Sequence, residues 1–229
     1  MKTPKPGKTI TQLFEEFLAD QEARLSPKSY DKYEQIVHLY RTYLESYWPN
    51  HSGKEYSEIT KAKDTYCGTF GAEEITYGFS EFLDYFMPHK VMCGNETMKA
   101  AGTVIKKLAK WLVVKGYAED DESIRDRVSV TARDLPASQK LLDQLDDWLA
   151  ENPPEEYGKE VEGHFYVSRV EPGKLWLEPI LADSDDREIG PIPLPQKITR
   201  ACKVGWDIGG AVGKTAQGWR LVEVWNISP

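Results

Sequence analysis

The hydrophobic period of this chain changes once, and that change limits what it can fold into. Up to about residue 150, apolar side chains recur at the three- and four-residue spacing of helices. From residue 162 onward they alternate with polar ones, as on a half-buried strand. A pattern written for one period does not hold as the other. The expected class is therefore α+β: helices first, strands after, with no alternating βαβ unit.

The helical part separates into segments. Residues 9 to 24 predict a first helix. Thr9 and Gln12 have capping-box spacing, and Ile10, Leu13, Phe14, Phe17 and Leu18 share one face. Ser26-Pro27 opens a second helix, with Tyr30, Tyr33, Val37, Tyr40, Leu44 and Tyr47 on its buried side, and Pro49-Asn50 stops it. Residues 50 to 73 predict a loop. A third helix is expected over 76 to 87, with Phe79, Phe82, Leu83 and Phe86 inward and Pro88 as its end. A fourth is expected over 95 to 114, stopped by Gly116. The helical spacing of the tyrosines favours core packing over a stacking platform.

Residues 118 to 134 are densely charged and predict a linker. A fifth helix follows over 136 to 150, with Leu141, Leu142, Leu145, Trp148 and Leu149 in its stripe. Strands are expected at 164–170, 174–179, 189–194, 203–209 and 219–227, and five short strands suggest a small antiparallel barrel. Trp176, Trp206, Trp219 and Trp225 are expected mainly in its core. The domain plan is 1–117 helical, 118–153 linker and helix, 154–229 β.

Residues 207 to 215, "DIGGAVGKT", look like a nucleotide loop and are not one. A phosphate loop needs a glycine five residues before Gly213, between a strand and a helix. That position is Ile208, and the residues after Thr215 alternate as a strand does. A glycine-rich hairpin is the expected reading.

The net charge is −8, and the acidic excess lies wholly beyond residue 117. Three cysteines, Cys67, Cys93 and Cys202, make no disulfide framework. His89 and Cys93, with Cys67 upstream, lack the ligand number and pairing of a zinc site. Asp183, Asp185, Asp186 and Glu188 lack the spacing and glycine of an EF-hand, so a solvated acidic loop is expected. No Ser/His/Asp set, paired nucleophile or carboxylate pair is recognisable. No apolar run approaches a membrane span and no apolar leader is present. The expectation is a cytoplasmic, non-catalytic protein without cofactor, metal or membrane contact.

Two stretches, "TITQLFEEFLADQEARLSPKSYDKYEQIVHLYRTYLE" and "ETMKAAGTVIKKLAKWLVVKGY", resemble the core-binding, SAM-like domain of tyrosine recombinases, the phage integrases. Ser26-Pro27-Lys28-Ser29-Tyr30 supplies the opening of the second helix, and Lys106-Lys107-Leu108-Ala109-Lys110-Trp111-Leu112 the basic and aromatic run before a glycine. The resemblance covers about half of the chain and implies a four-helix bundle that grips one side of a DNA duplex. The recombinase catalytic domain, with its arginines, histidines and nucleophilic tyrosine, has no counterpart after residue 118. His38-Leu39-Tyr40-Arg41 spells the family's His-x-x-Arg but falls inside the second helix, without catalytic partners.

At 100° per residue, Lys99, Thr103, Lys106 and Lys110 form one strip of the fourth helix, away from Met98, Ala101, Ile105, Leu108 and Leu112. Lys107 flanks the strip, Glu96 is the one acid at its start, and Lys28 and Lys32 could extend it. Such a strip could neutralise several phosphates, with Thr103 hydrogen-bonding a phosphate oxygen. The expected partner is double-stranded DNA, held by its backbone, in a process linked to recombination or integration. The β domain would serve a protein partner. The alternative is a protein-interaction adaptor on the same bundle, favoured by the acidity of the second half. The DNA reading requires that carboxylates of the first helix leave the strip open.

Overall fold

In the computed structural model the described residues are 7–48, 65–153, 156–181 and 188–229. Pro49-Asn50, most of the expected loop 50–73 and the acids Asp183, Asp185 and Asp186 lie outside them. The chain divides into two compact units, Met1–Arg133 and Asp134–Pro229, and the division falls inside a helix.

The first unit is helical. Its elements are α1 (Ile10–Glu22), α2 (Pro27–Ser46), the short α3 (Tyr66–Thr69), α4 (Ala72–Glu81), α5 (Met87–Lys90), α6 (Asn95–Lys115) and the start of α7 (Glu122–Glu151). The capping box forms as expected: the Gln12 N–H donates to the Thr9 hydroxyl, and the Thr9 N–H to the Gln12 side chain. Gly116, at φ 76°, closes α6 in the left-handed conformation that a Cβ disfavours.

The core is aromatic. Phe14, Phe17, Tyr40, Tyr43, Phe79 and Phe82 are fully buried, and Tyr40 stacks on Tyr43 and Phe79. The Tyr40 hydroxyl donates to the Ile75 carbonyl, which satisfies the one polar atom that would otherwise count against burying it. Gly78 lets α4 approach this cluster: a Cβ there would stand 2.8 Å from the Tyr40 oxygen.

Two expectations fail here. The third helix does not stop at Pro88. It passes from α4 through a π-helical turn, Phe82–Phe86, into α5, with Pro88 in that last segment. In the wide turn the Met87 N–H bonds to the Phe82 carbonyl, five residues back, which shifts the register just before the residue that has no N–H to give. The expected linker, 118 to 134, is helical from Glu122 onward. Asp121 starts it by accepting the Ser123 and Ile124 N–H groups. Pro136, expected near a helix start, lies inside α7.

The second unit holds the rest of α7, a short α8 (Gln196–Thr199) and strands β1 (Lys159–Glu171), β2 (Lys174–Pro179), β3 (Ile189–Pro193), β4 (Asp207–Thr215) and β5 (Gly218–Ser228). The sheet is antiparallel, in the order β3-β2-β1-β4-β5. It is not a barrel. Its edge strands β3 and β5 approach each other but do not pair. Leu141 and Leu145 of α7 enter the core beside Phe165, Leu177, Trp206 and Val212, so a helix covers apolar surface that closure would otherwise bury. Pro191 and Pro193 leave β3 with few donors to offer a neighbour.

The fourth strand is also misplaced by the sequence reading. "DIGGAVGKT" is not a turn but β4 itself, mostly buried, and the turn is Ala216-Gln217. Its glycines serve close packing: a Cβ on Gly210 would run into the Glu223 carbonyl, next to a bulge in the β4–β5 pairing. Gly213-Lys214-Thr215 leads into another strand, so no helix N-terminus is there to receive phosphate. Trp176, Trp206 and Trp219 are buried, while Trp225 is exposed.

Candidate nucleic-acid interface

The buried side of α6 carries Met98, Ala101, Gly102, Val104, Ile105, Leu108 and Leu112. Holding that side inward turns Lys99, Thr103, Lys106, Lys107 and Lys110 outward, and all five are exposed, as are Lys28 and Lys32 near the start of α2. Packing of α2 against α6 brings two sequence-distant groups together. Lys28, Lys32, Lys99 and Thr103 line one shallow groove of about 350 Å³, with Glu96 at its side. Lys106 and Lys110 line a different and larger cleft, so the strip continues along α6 but ends between two concavities.

Glu96 is the carboxylate of the groove. It lies 3.1 Å from the Lys99 ammonium and 3.7 Å from that of Lys32. The Lys99 hydrogen bond, then the nearby lysine charges, hold its carboxyl below the ordinary value. Among the described residues no carboxylate lies within 4.0 Å of the ammonium groups of Lys28, Lys106, Lys107 or Lys110. The acids of α1 do not intrude. Glu16 bonds Lys8, Lys115 and Tyr117, and Asp20 bonds Lys115 and Trp111. Thr103 stands in the strip but donates its hydroxyl proton to the Lys99 carbonyl at 2.9 Å, so in this rotamer it has no proton for a phosphate.

Several polar contacts were not recognised in the sequence. Glu74 of α4 is 3% exposed and accepts from the Tyr66 hydroxyl at 2.6 Å and the Trp48 indole at 2.8 Å. Glu45 of α2 accepts the N–H groups of Tyr66 and Cys67 and so starts α3. His164 and Asp207, on adjacent strands, form an acid–base pair at 3.0 Å. Their separation in sequence hid it; the register of β1 and β4 sets it. Glu74 and Glu45 line neither concavity. Burial pushes the Cys67 and Cys93 thiols up, and that of Cys202 to about 12, so all three favour the neutral thiol over the thiolate that attacks or binds metal.

No helix among the described residues is long and apolar enough to cross a membrane. Comparisons with protein-family models, with curated proteins and with solved structures give no match. Function must therefore be argued from the geometry of these side chains.

Proposed function

We propose that the protein binds double-stranded DNA without cleaving it, its first unit acting as a four-helix SAM-like bundle of the integrase core-binding kind. One observation carries this reading: six exposed lysines from α2 and α6 share a single neighbouring carboxylate within ion-pair distance among the described residues. Each phosphate that an ammonium neutralises releases condensed counterions, which is the main source of sequence-independent affinity. The strip holds lysine and no arginine, so it suits point contacts with the backbone better than bidentate reading of guanine. Exposed Tyr166 and Trp225 offer the β unit a surface for a protein partner. Recombination or integration is the process that the sequence resemblance suggests.

Fluorescence anisotropy with a labelled duplex tests this. Binding is expected at about 50 mM salt and should fall steeply by about 200 mM. Lys106→Glu with Lys110→Glu should abolish it. Absence of binding by the wild type at the lower salt, or equal binding by the double variant, overturns the proposal. Partners that survive nuclease treatment in a pull-down would instead favour the adaptor reading.

A further inference from the structure

The larger concavity of the first unit is a half-open cleft of about 750 Å³ between α4, α6 and the start of α7. That volume falls within the range of small-molecule sites, roughly 300–1,000 Å³. Antiparallel helices form its walls. α6 and α7 touch backbone to backbone at Gly102 and Ala132, where a Cβ on the glycine would lie 2.7 Å from the Ala132 carbonyl. From that crossing they diverge toward the connection at residues 116 to 121, and the cleft fills the gap.

Its lining is ordered by chemistry along its length. Val113, Ile124 and Val128 supply apolar walls, and Tyr77 and Val114 extend them to exposed positions, 62% and 74% accessible. Exposed apolar surface of this kind beside a concavity marks a binding face. At the end near the crossing stand Lys106 and Lys110, one turn apart, with no carboxylate within 4.0 Å among the described residues. At the other end stand Glu119, Asp120 and Asp121, and Glu73 of α4 is the fourth carboxylate of the lining. Arg125, the third cation of the lining, is taken by Asp120 and Glu122.

We infer that this cleft binds an amphipathic small molecule with one anionic head and an apolar body, such as a medium-chain carboxylate. The head pairs with Lys106 and Lys110, and the chain lies along Val113, Ile124 and Val128. From Lys106 to Val114 the helix rises about 12 Å, the scale of a medium-length alkyl chain. The charge order sets specificity: two unneutralised ammonium groups favour one anion at their end, and three carboxylates disfavour a second anion at the other. A cationic head would pair only at the opposite, acidic end, with its chain reversed and the lysines unused. The site does not depend on the duplex reading, although the two would share Lys106 and Lys110.

Titration calorimetry of the full chain with dodecanoate, without nucleic acid, tests this inference. Saturable binding of one dodecanoate per chain is expected. Each methylene removed from the probe should weaken it about fourfold. Dodecanedioate should bind at least about tenfold more weakly than dodecanoate, by the charge order above. Lys106→Gln with Lys110→Gln, both at exposed positions, should weaken dodecanoate at least about tenfold and leave dodecylammonium unweakened. Val113→Trp should fill the cleft and abolish binding, with circular dichroism reporting an intact fold. No binding below about 1 mM dodecanoate overturns the inference. So does equal binding of dodecanedioate, which would mean that the charge order has no effect, and so does unchanged dodecanoate binding by the lysine double variant. Because the assay contains no DNA, a failure of duplex binding leaves these outcomes readable.

Discussion

Asp84, in the π-helical turn, shows how one side chain carries both a packing constraint and a pH dependence. Burial pushes its carboxyl up from the ordinary value, while the Thr131 hydrogen bond and the Arg127 charge pull the other way. The folded protein therefore holds a proton on Asp84 more tightly than the unfolded chain does. That stabilising share is complete below the unfolded carboxylate range, near about 4, and is lost as pH rises through the raised folded value. Asp84→Asn keeps a neutral group able to bond Thr131. Its urea midpoint should exceed the wild type's at pH 7 and match it at pH 3. A lower midpoint at pH 7 would mean that the ionised form is the stabilising one, through Arg127. At this scale the sequence disclosed side chains whose default holds. Tyr40 and Tyr43 were expected in the core by their spacing and are there. Glu74 was not, because a glutamate is normally solvated and only the fold brings it an indole and a phenol.

Among elements, the α6–α7 contact is the most informative. Gly102 lies mid-helix, where alanine would ordinarily gain about 1 kcal/mol in propensity. Here its Cβ would meet the Ala132 backbone at 2.7 and 2.9 Å, and backbone cannot swing aside as a flexible side chain can. Gly102→Ala should therefore destabilise the protein by about 1–3 kcal/mol in chemical denaturation, reversing the propensity gain. A neutral or stabilising result would show that the two helices separate at little cost. Nothing local announced this contact. Ile124, Val128, Thr131 and Leu135 do recur at helical spacing, but the surrounding charges obscured them, and Pro136 drew the expected helix start too late. β4 failed for the opposite reason. Its glycines have turn propensity, and only the neighbouring strand reveals that they admit close packing. Where local preference and tertiary need agree, the expected and observed bounds agree to within a residue, as at the capped start of α1 and at both ends of β2.

For the molecule as a whole, the change of period was legible and the open form of the sheet was not. Alternation along strands specifies a buried face but not what covers it; here α7 supplies Leu141 and Leu145 to that core. The lysine strip was legible because it depends only on the phase of α6, and so was Glu96 at its start. The acids of the cleft were not, since their placement follows from a helix hidden in charge. Glu96 now becomes the sharpest probe of the DNA proposal. It is the acid shared by Lys32 and Lys99, and it is mostly exposed, so removing its charge should change the strip without changing the fold. Glu96→Gln should raise duplex affinity several-fold at low salt and steepen the plot of log affinity against log salt by up to about 1, the contribution of one further neutralised phosphate. Dodecanoate affinity should stay unchanged, because Glu96 does not line the cleft. If Glu96→Gln leaves both the duplex affinity and its salt slope as they were, Lys32 and Lys99 do not meet phosphate. The interface would then have to lie on Lys28, Lys106, Lys107 and Lys110.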